Sequence, residues 1–224
     1  MPDPNLPMLE DAVQKLAPFL GEIVFVVGVT LGLLITDEAA APIRGTTDVN
    51  VIAEIITYAD YIAFSERLRR AHFSEDTGLT CRWHNGPLTL DVLALSKEVL
   101  GFTNIWYESA LQHASTVTLP RGQAIRVITA PFFLATKVEA FRGRGRMDFQ
   151  ASRDLEDFVA VIEGQDTLLQ EIAASPEDLR NYLAEAARTL LAESRFLDVL
   201  PGFVLDAERV PVIQERIKFI ATAQ

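Results

Sequence analysis

The sequence predicts an α/β fold of the α+β kind: a mixed sheet with flanking helices, followed by a C-terminal helical lobe. Two observations carry the prediction. Short β-branched and aromatic runs cluster before residue 130, and helical periodicity dominates after it. Within the first part, Asn85-Gly86 and Pro120-Arg121-Gly122 each separate two such runs, as hairpin turns do. The division expected is an α/β core over 1–130 and a helical part over 131–224 packed on that core.

Taken in order, residues 1–7 carry three prolines and read as a loose arm. Leu9, Val13, Leu16 and Leu20 recur at helical spacing across Met8–Leu20. Ile23–Val27 is β-branched and aromatic, a buried strand ended by Gly28. Val29–Ile35 turns into a helix, Asp37–Thr47 is a loop, and Asp48–Ile56 is a second strand. Tyr61–Ala71 is amphipathic, with Leu68 inward and Arg67, Arg69 and Arg70 outward. Thr80–His84 and Leu88–Leu95 flank Asn85-Gly86, which favours a type I′ turn. A helix over Asn104–His113 and strands at Ser115–Leu119 and Ala124–Ile128 complete the core. Pro131 suits a first helical turn, and Leu134, Val138 and Phe141 continue that helix as a stripe. Leu155, Phe158, Val159 and Ile162 mark the next helix. Ser175-Pro-Glu-Asp178 reads as an N-cap and capping acid for a third helix, and Ala207–Ala223 as a last one.

Composition narrows the function. The chain of 224 residues is 49% hydrophobic, enough for a sizeable core. A net charge of -11 argues against a protein that coats nucleic acid by neutralising phosphates. The single cysteine, Cys81, forms no internal disulfide, which fits a reducing cytoplasm. MPDPNLPMLEDA lacks the basic start and apolar core of a signal peptide. The longest apolar run, Ile23–Ile35, is too short to span a bilayer as a helix. A soluble, cytoplasmic protein with no membrane partner is expected. His72, His84 and His113 show no metal-ligand spacing and Cys81 has no partner, so no zinc is expected. Ser96 and Ser109 lack a nucleophile-elbow context, and Trp83, Trp106 and Tyr107 read as core or pocket walls rather than base-stacking platforms.

The chemistry-bearing residues start with Asp48 and Asn50. Two apart on a strand, they face the same side. A third oxygen ligand from a neighbouring strand would let them hold Mg²⁺, and Asp91, inside an otherwise apolar strand, is the natural third. The plainer alternative is that Asp48 caps its strand and Asp91 pairs with a basic residue. Lys137, Arg142, Arg144 and Arg146 form the strongly positive stretch of this acidic chain. They would bind a triphosphate or RNA backbone, or else the arginines would pair with the acidic run Asp154–Asp157. That run also has a plain role as first-turn acids favouring the helix dipole.

The order Val26-Val27-Gly28, loop, Thr-x-Asp-x-Asn, later acidic strand, then KVEAFRGRGRMDFQASRDLEDF, resembles the nucleotidyltransferase superfamily, and in particular its AbiEii/AbiGii-type branch from bacterial toxin–antitoxin and phage-defence systems. The resemblance spans about residues 20–165. It implies a nucleotidyltransferase-like mixed sheet. It also implies transfer of a nucleotidyl group from a nucleoside triphosphate, with Mg²⁺ or Mn²⁺, to an RNA acceptor such as tRNA or to a protein, and a cognate antitoxin as partner. By that resemblance Asp48, Asn50 and Asp91 are the metal ligands. Asp48, Asp91, Lys137 and Asp154 are catalytic, and Gly28, Thr30, Lys137, Arg142 and Arg144 bind nucleotide. Two residues depart from the pattern. Val29 stands where a second small residue belongs, and Thr30 is the hydroxyl that could compensate. Asn50 replaces a carboxylate and lowers metal affinity. A catalytically degenerate relative that binds a nucleotide or a partner without turnover is therefore the alternative.

Overall fold

Residues 3–143 and 148–222 are described by a computed structural model. Internal contacts divide the chain into two units, one formed by 2–32 with 44–129 and the other by 33–43 with 130–224. The segment 33–43, which the linear division gives to the core, thus belongs with the helices.

The first unit holds a seven-stranded mixed sheet of order β3-β4-β5-β2-β1-β7-β6. Its strands are β1 (Ile23–Val26), β2 (Val49–Ala53), β3 (Ser74–Glu75), β4 (Arg82–Asn85), β5 (Leu88–Leu93), β6 (Ser115–Thr118) and β7 (Ala124–Val127). β1 is antiparallel to β2 and parallel to β7, and β2 is parallel to β5. The central strands β1, β2 and β5 are buried over most of their length, which their Val, Ile and Leu content dictates. Helices α1 (Leu6–Lys15), α2 (Leu31–Leu34), α3 (Tyr58–Arg70), α4 (Lys97–Leu100) and α5 (Tyr107–Gln112) belong to this unit or end at its border. In α3, Thr57 and Asp60 form a capping box, while Leu68 is buried and Arg67 pairs outward with Glu22.

Two readings of this part need correction. Within the expected loose arm 1–7, the described residues 3–7 are ordered. The helix starts at Leu6, and Asn5 is 1% exposed. The amide of Asn5 donates to the Arg44 carbonyl (3.1 Å) and accepts from the Thr46 N–H (2.8 Å). One buried side chain therefore tethers the first residues to the loop entering β2. The second correction concerns the β4–β5 hairpin. Asn85 pairs with Leu88, so Gly86-Pro87 are the central turn residues. Gly86 has φ +60°, while proline fixes its own φ near −65°, which excludes type I′ with its two positive angles.

Beside this hairpin, Asp76 pairs with His84 (2.9 Å) and accepts the N–H groups of Gly78 and Leu79. The His84 pairing, then those N–H groups, hold its carboxyl down to about 2. A folded value below the unfolded one gives stability that is full above the unfolded pKa, about 3.9, and is lost as pH falls toward the folded value. Asp76→Asn should therefore be less stable than wild type at pH 5, with the gap closing on acidification to about pH 2. Urea unfolding at stepped pH measures this, and a gap independent of pH would refute the assignment.

The second unit contains α6 (Ala130–Arg142), α7 (Arg153–Gly164), α8 (Leu168–Ala173), α9 (Glu177–Ala192), α10 (Ser194–Val199) and α11 (Val210–Thr222). Ser152 caps α7 by accepting the Leu155 N–H (3.2 Å). Ser175 does not cap α9. Its hydroxyl donates to the Glu171 carbonyl (2.8 Å), closing α8, and Pro176 is the residue that precedes α9. Segment 33–43 is fixed to the end of α7. The N–H groups of Thr36 and Asp37 both donate to the Gly164 carbonyl. A Cβ at Gly164 would lie 2.7 Å from Ile35, so only glycine allows this approach. Arg209 bridges Asp37 (2.5 Å) and Glu163 (2.6 Å), and Arg216 donates to the carbonyls of Ile162, Glu163 and Gln165. The basic cluster divides here: Lys137 and Arg142 lie on α6, while Arg144 and Arg146 lie outside the described residues. Among the described residues no helix is long and apolar enough to cross a membrane.

Candidate functional site

The sheet register assembles the site. Asn50 on β2 pairs with Asp91 on β5, and Asp91 pairs across the hairpin with Arg82 on β4. Paired residues share a face, and Asp48 lies two positions before Asn50, so all four point to one side of the sheet. Asp48, Asn50 and Asp91 are thus brought together. All three are partly screened from solvent; the Asp91 side chain is 12% exposed and that of Asp48 27%.

Gly28 joins them by close approach. A Cβ there would stand 3.3 Å from both Cβ and Oγ1 of Thr46, and the Thr46 hydroxyl donates to Asp48 Oδ1 (3.0 Å). The unusual backbone conformation lies one residue earlier than the glycine: Val27 has φ +66°, an outlier for a β-branched residue. Val29, where a second small residue was missing, is fully buried, so its bulk fills the core. Thr30 is also buried, and its hydroxyl donates to the Val27 carbonyl (2.8 Å), where it steadies the strained turn.

Arg82 is the residue that motif reading missed. Its Nε donates to Asp91 Oδ1 (2.8 Å) and its Nη2 to Asp91 Oδ2 (2.8 Å), with a further contact from Nη2 to Asp48 Oδ2 (3.2 Å). With Thr46 on the fourth oxygen, every carboxylate oxygen of Asp48 and Asp91 has a donor. The bidentate bond to Asp91 raises the guanidinium pKa above its ordinary value. Mg²⁺ would need those oxygens in near-octahedral contact at about 2.1 Å. The donor set as it stands does not fit a divalent metal, since the compensating positive charge is already present. Among the described residues no group of three or more His, Cys, Asp or Glu is arranged to hold one. The Asn50 carboxamide, partly exposed, has no hydrogen-bond partner among the described residues and offers both a donor and an acceptor.

The remaining predicted residues are in the helical unit. Lys137 Nζ contacts Asp154 Oδ1 (3.1 Å) and Asp157 Oδ2 (2.6 Å) and sits 5.4 Å from the Phe133 ring centroid. Its side chain is 4% exposed. Arg142 Nη1 reaches the Tyr182 hydroxyl (3.4 Å) with its guanidinium over that ring. The acidic run is thus paired with Lys137, whereas the sequence alternative gave that role to the arginines; Arg142 lies instead by Tyr182 and Glu139.

No family model matches the chain, and no curated protein matches it. Among solved structures it is similar to one described as a "putative nucleotidyltransferase from H. pylori". The two share 13% identity over 96% of this chain and 92% of that chain, with a TM-score of 0.47.

Proposed function

We propose that this chain is a nucleotidyltransferase-type protein that binds a nucleoside triphosphate through the sheet face carrying Asp48, Asn50 and Asp91, without two-metal nucleotidyl transfer. One observation carries the reading: a same-face row of acid, carboxamide and acid beside the Gly28 turn, with the neutral Asn50 in the central place. Two-metal chemistry needs dense negative charge to hold both ions, and a carboxamide in the central position removes one unit of it.

A second reading, an active transferase moving a nucleotidyl group to an RNA or protein acceptor, draws on the two carboxylates that share that face. The AbiEii-type branch, with a cognate antitoxin as partner, draws on the Lys137–Asp157 segment. Calorimetry with ATP, GTP, CTP and UTP, with and without Mg²⁺, beside label transfer from α-labelled nucleotides, separates the readings. The expected result is saturable binding of at least one nucleotide, changed less than threefold by Mg²⁺, and no label transfer. Mg²⁺-dependent transfer to RNA or protein would establish the second reading, and absence of nucleotide binding would sink both.

A further inference from the structure

We propose that Arg82 is a built-in counter-cation that takes the place of a divalent metal between Asp48 and Asp91, and that removing it opens a divalent-cation site made by Asp48, Asn50 and Asp91. The inference rests on the assignment of that sheet face as the functional one, but its test needs no nucleotide.

The geometry supports replacement rather than incidental pairing. Arg82 is placed by the hairpin itself: the Gly86-Pro87 turn fixes it directly opposite Asp91, so its position does not depend on a ligand. It binds Asp91 through both oxygens and reaches Asp48 with the same Nη2, so one guanidinium spans the two carboxylates a metal would bridge. Bidentate guanidinium–carboxylate pairs are strong and directional among ion pairs. The Arg82 and Asp91 side chains are only 28% and 12% exposed, so water screens this pair less than a surface one. A hydrated Mg²⁺ or Mn²⁺ entering here must lose water and displace Arg82 together. The incoming ion would gain one carbonyl and two carboxylates, a modest ligand set for a hard cation. Competition at equilibrium therefore favours the guanidinium.

The test is titration of Mn²⁺ alone, followed by the electron paramagnetic resonance signal of the free ion. It is carried out on the full chain as wild type, Arg82→Gln, Arg82→Lys, and Arg82→Gln combined with Asp91→Asn. Circular dichroism checks that each variant is folded. Arg82→Gln should bind one Mn²⁺ at least tenfold more tightly than wild type. Arg82→Lys keeps the charge but loses the two-toothed grip, so it should gain about threefold; it keeps the test decisive if the glutamine variant fails to fold. Adding Asp91→Asn should abolish the gain, which separates this site from loose binding to an acidic surface. Equal Mn²⁺ affinity in wild type and either single variant overturns the proposal, as does a gain that survives Asp91→Asn. Failure of the nucleotide-binding reading shows separately, as absent nucleotide binding in the calorimetry.

Discussion

Lys137→Ala should destabilise the protein by about 3–5 kcal/mol, measured by urea unfolding at neutral pH, because it removes a buried ammonium in contact with two screened carboxylates. Lys137 is 3% exposed, and Asp157, 2.6 Å from its ammonium, is 1% exposed. Asp154 is also in contact with the same nitrogen. Both carboxylates would lose this cation at once, whereas an exposed ion pair would cost about 1 kcal/mol or less. The cost should come from the lost ion pairing rather than lost packing. Lys137→Met combined with Asp154→Asn and Asp157→Asn should therefore recover most of the lost stability. A loss under 1 kcal/mol in the alanine variant, or no recovery in the triple variant, would show that the three groups do not act as a buried unit.

Asn5→Ala should cost about 1–3 kcal/mol, since it removes the acceptor of the part-buried Thr46 N–H and a donor to the Arg44 carbonyl. Those two hydrogen bonds, at 2.8 and 3.1 Å, fix the loop that delivers Thr46 to Gly28 and to Asp48. Asn5→Asp keeps the acceptor for the Thr46 N–H but loses the donor to Arg44, and should fall between wild type and alanine. Amide hydrogen exchange at Thr46 gives a local readout. It should accelerate in Asn5→Ala and stay near wild type in Asn5→Asp. Unchanged exchange in the alanine variant would remove Asn5 from this role.

The sheet, its hairpins and the helical second part were legible because each rests on local signals: β-branched runs, turn residues and helical stripes. The sharing of one face by Asp48, Asn50 and Asp91 was legible too, since period-two geometry places Asp48 with Asn50 and the parallel register adds Asp91. Arg82 was hidden by a single position. With Asn85-Gly86 at the centre of the turn, Arg82 would face Thr89. With Gly86-Pro87 there, it faces Asp91. A shift of one residue at the turn thus moves the pairing partner by two, and it is Pro87 that decides, by denying the second positive φ. Asn5 was hidden for another reason. Three prolines around it suggest extended chain, and nothing local shows that a buried amide will find partners at Arg44 and Thr46. Lys137 was found as part of a motif, but burial is a tertiary property, and only the packed helices show that its ammonium faces Asp154 and Asp157.

The segment 33–43 also sets an order in time. Asp37 waits for Arg209, which lies 172 residues further along the chain. At a synthesis rate of about 5–20 residues per second, the interval between their appearances is about 9–34 seconds. The carbonyl of Gly164, which holds Thr36 and Asp37, arrives earlier, and the charge partner last. Until residue 164 has been made, Ile35 lacks the close approach of Gly164. A nascent chain stalled before residue 164 should accordingly bind chaperone through the Ile35 region, and release it once the end of α7 has emerged.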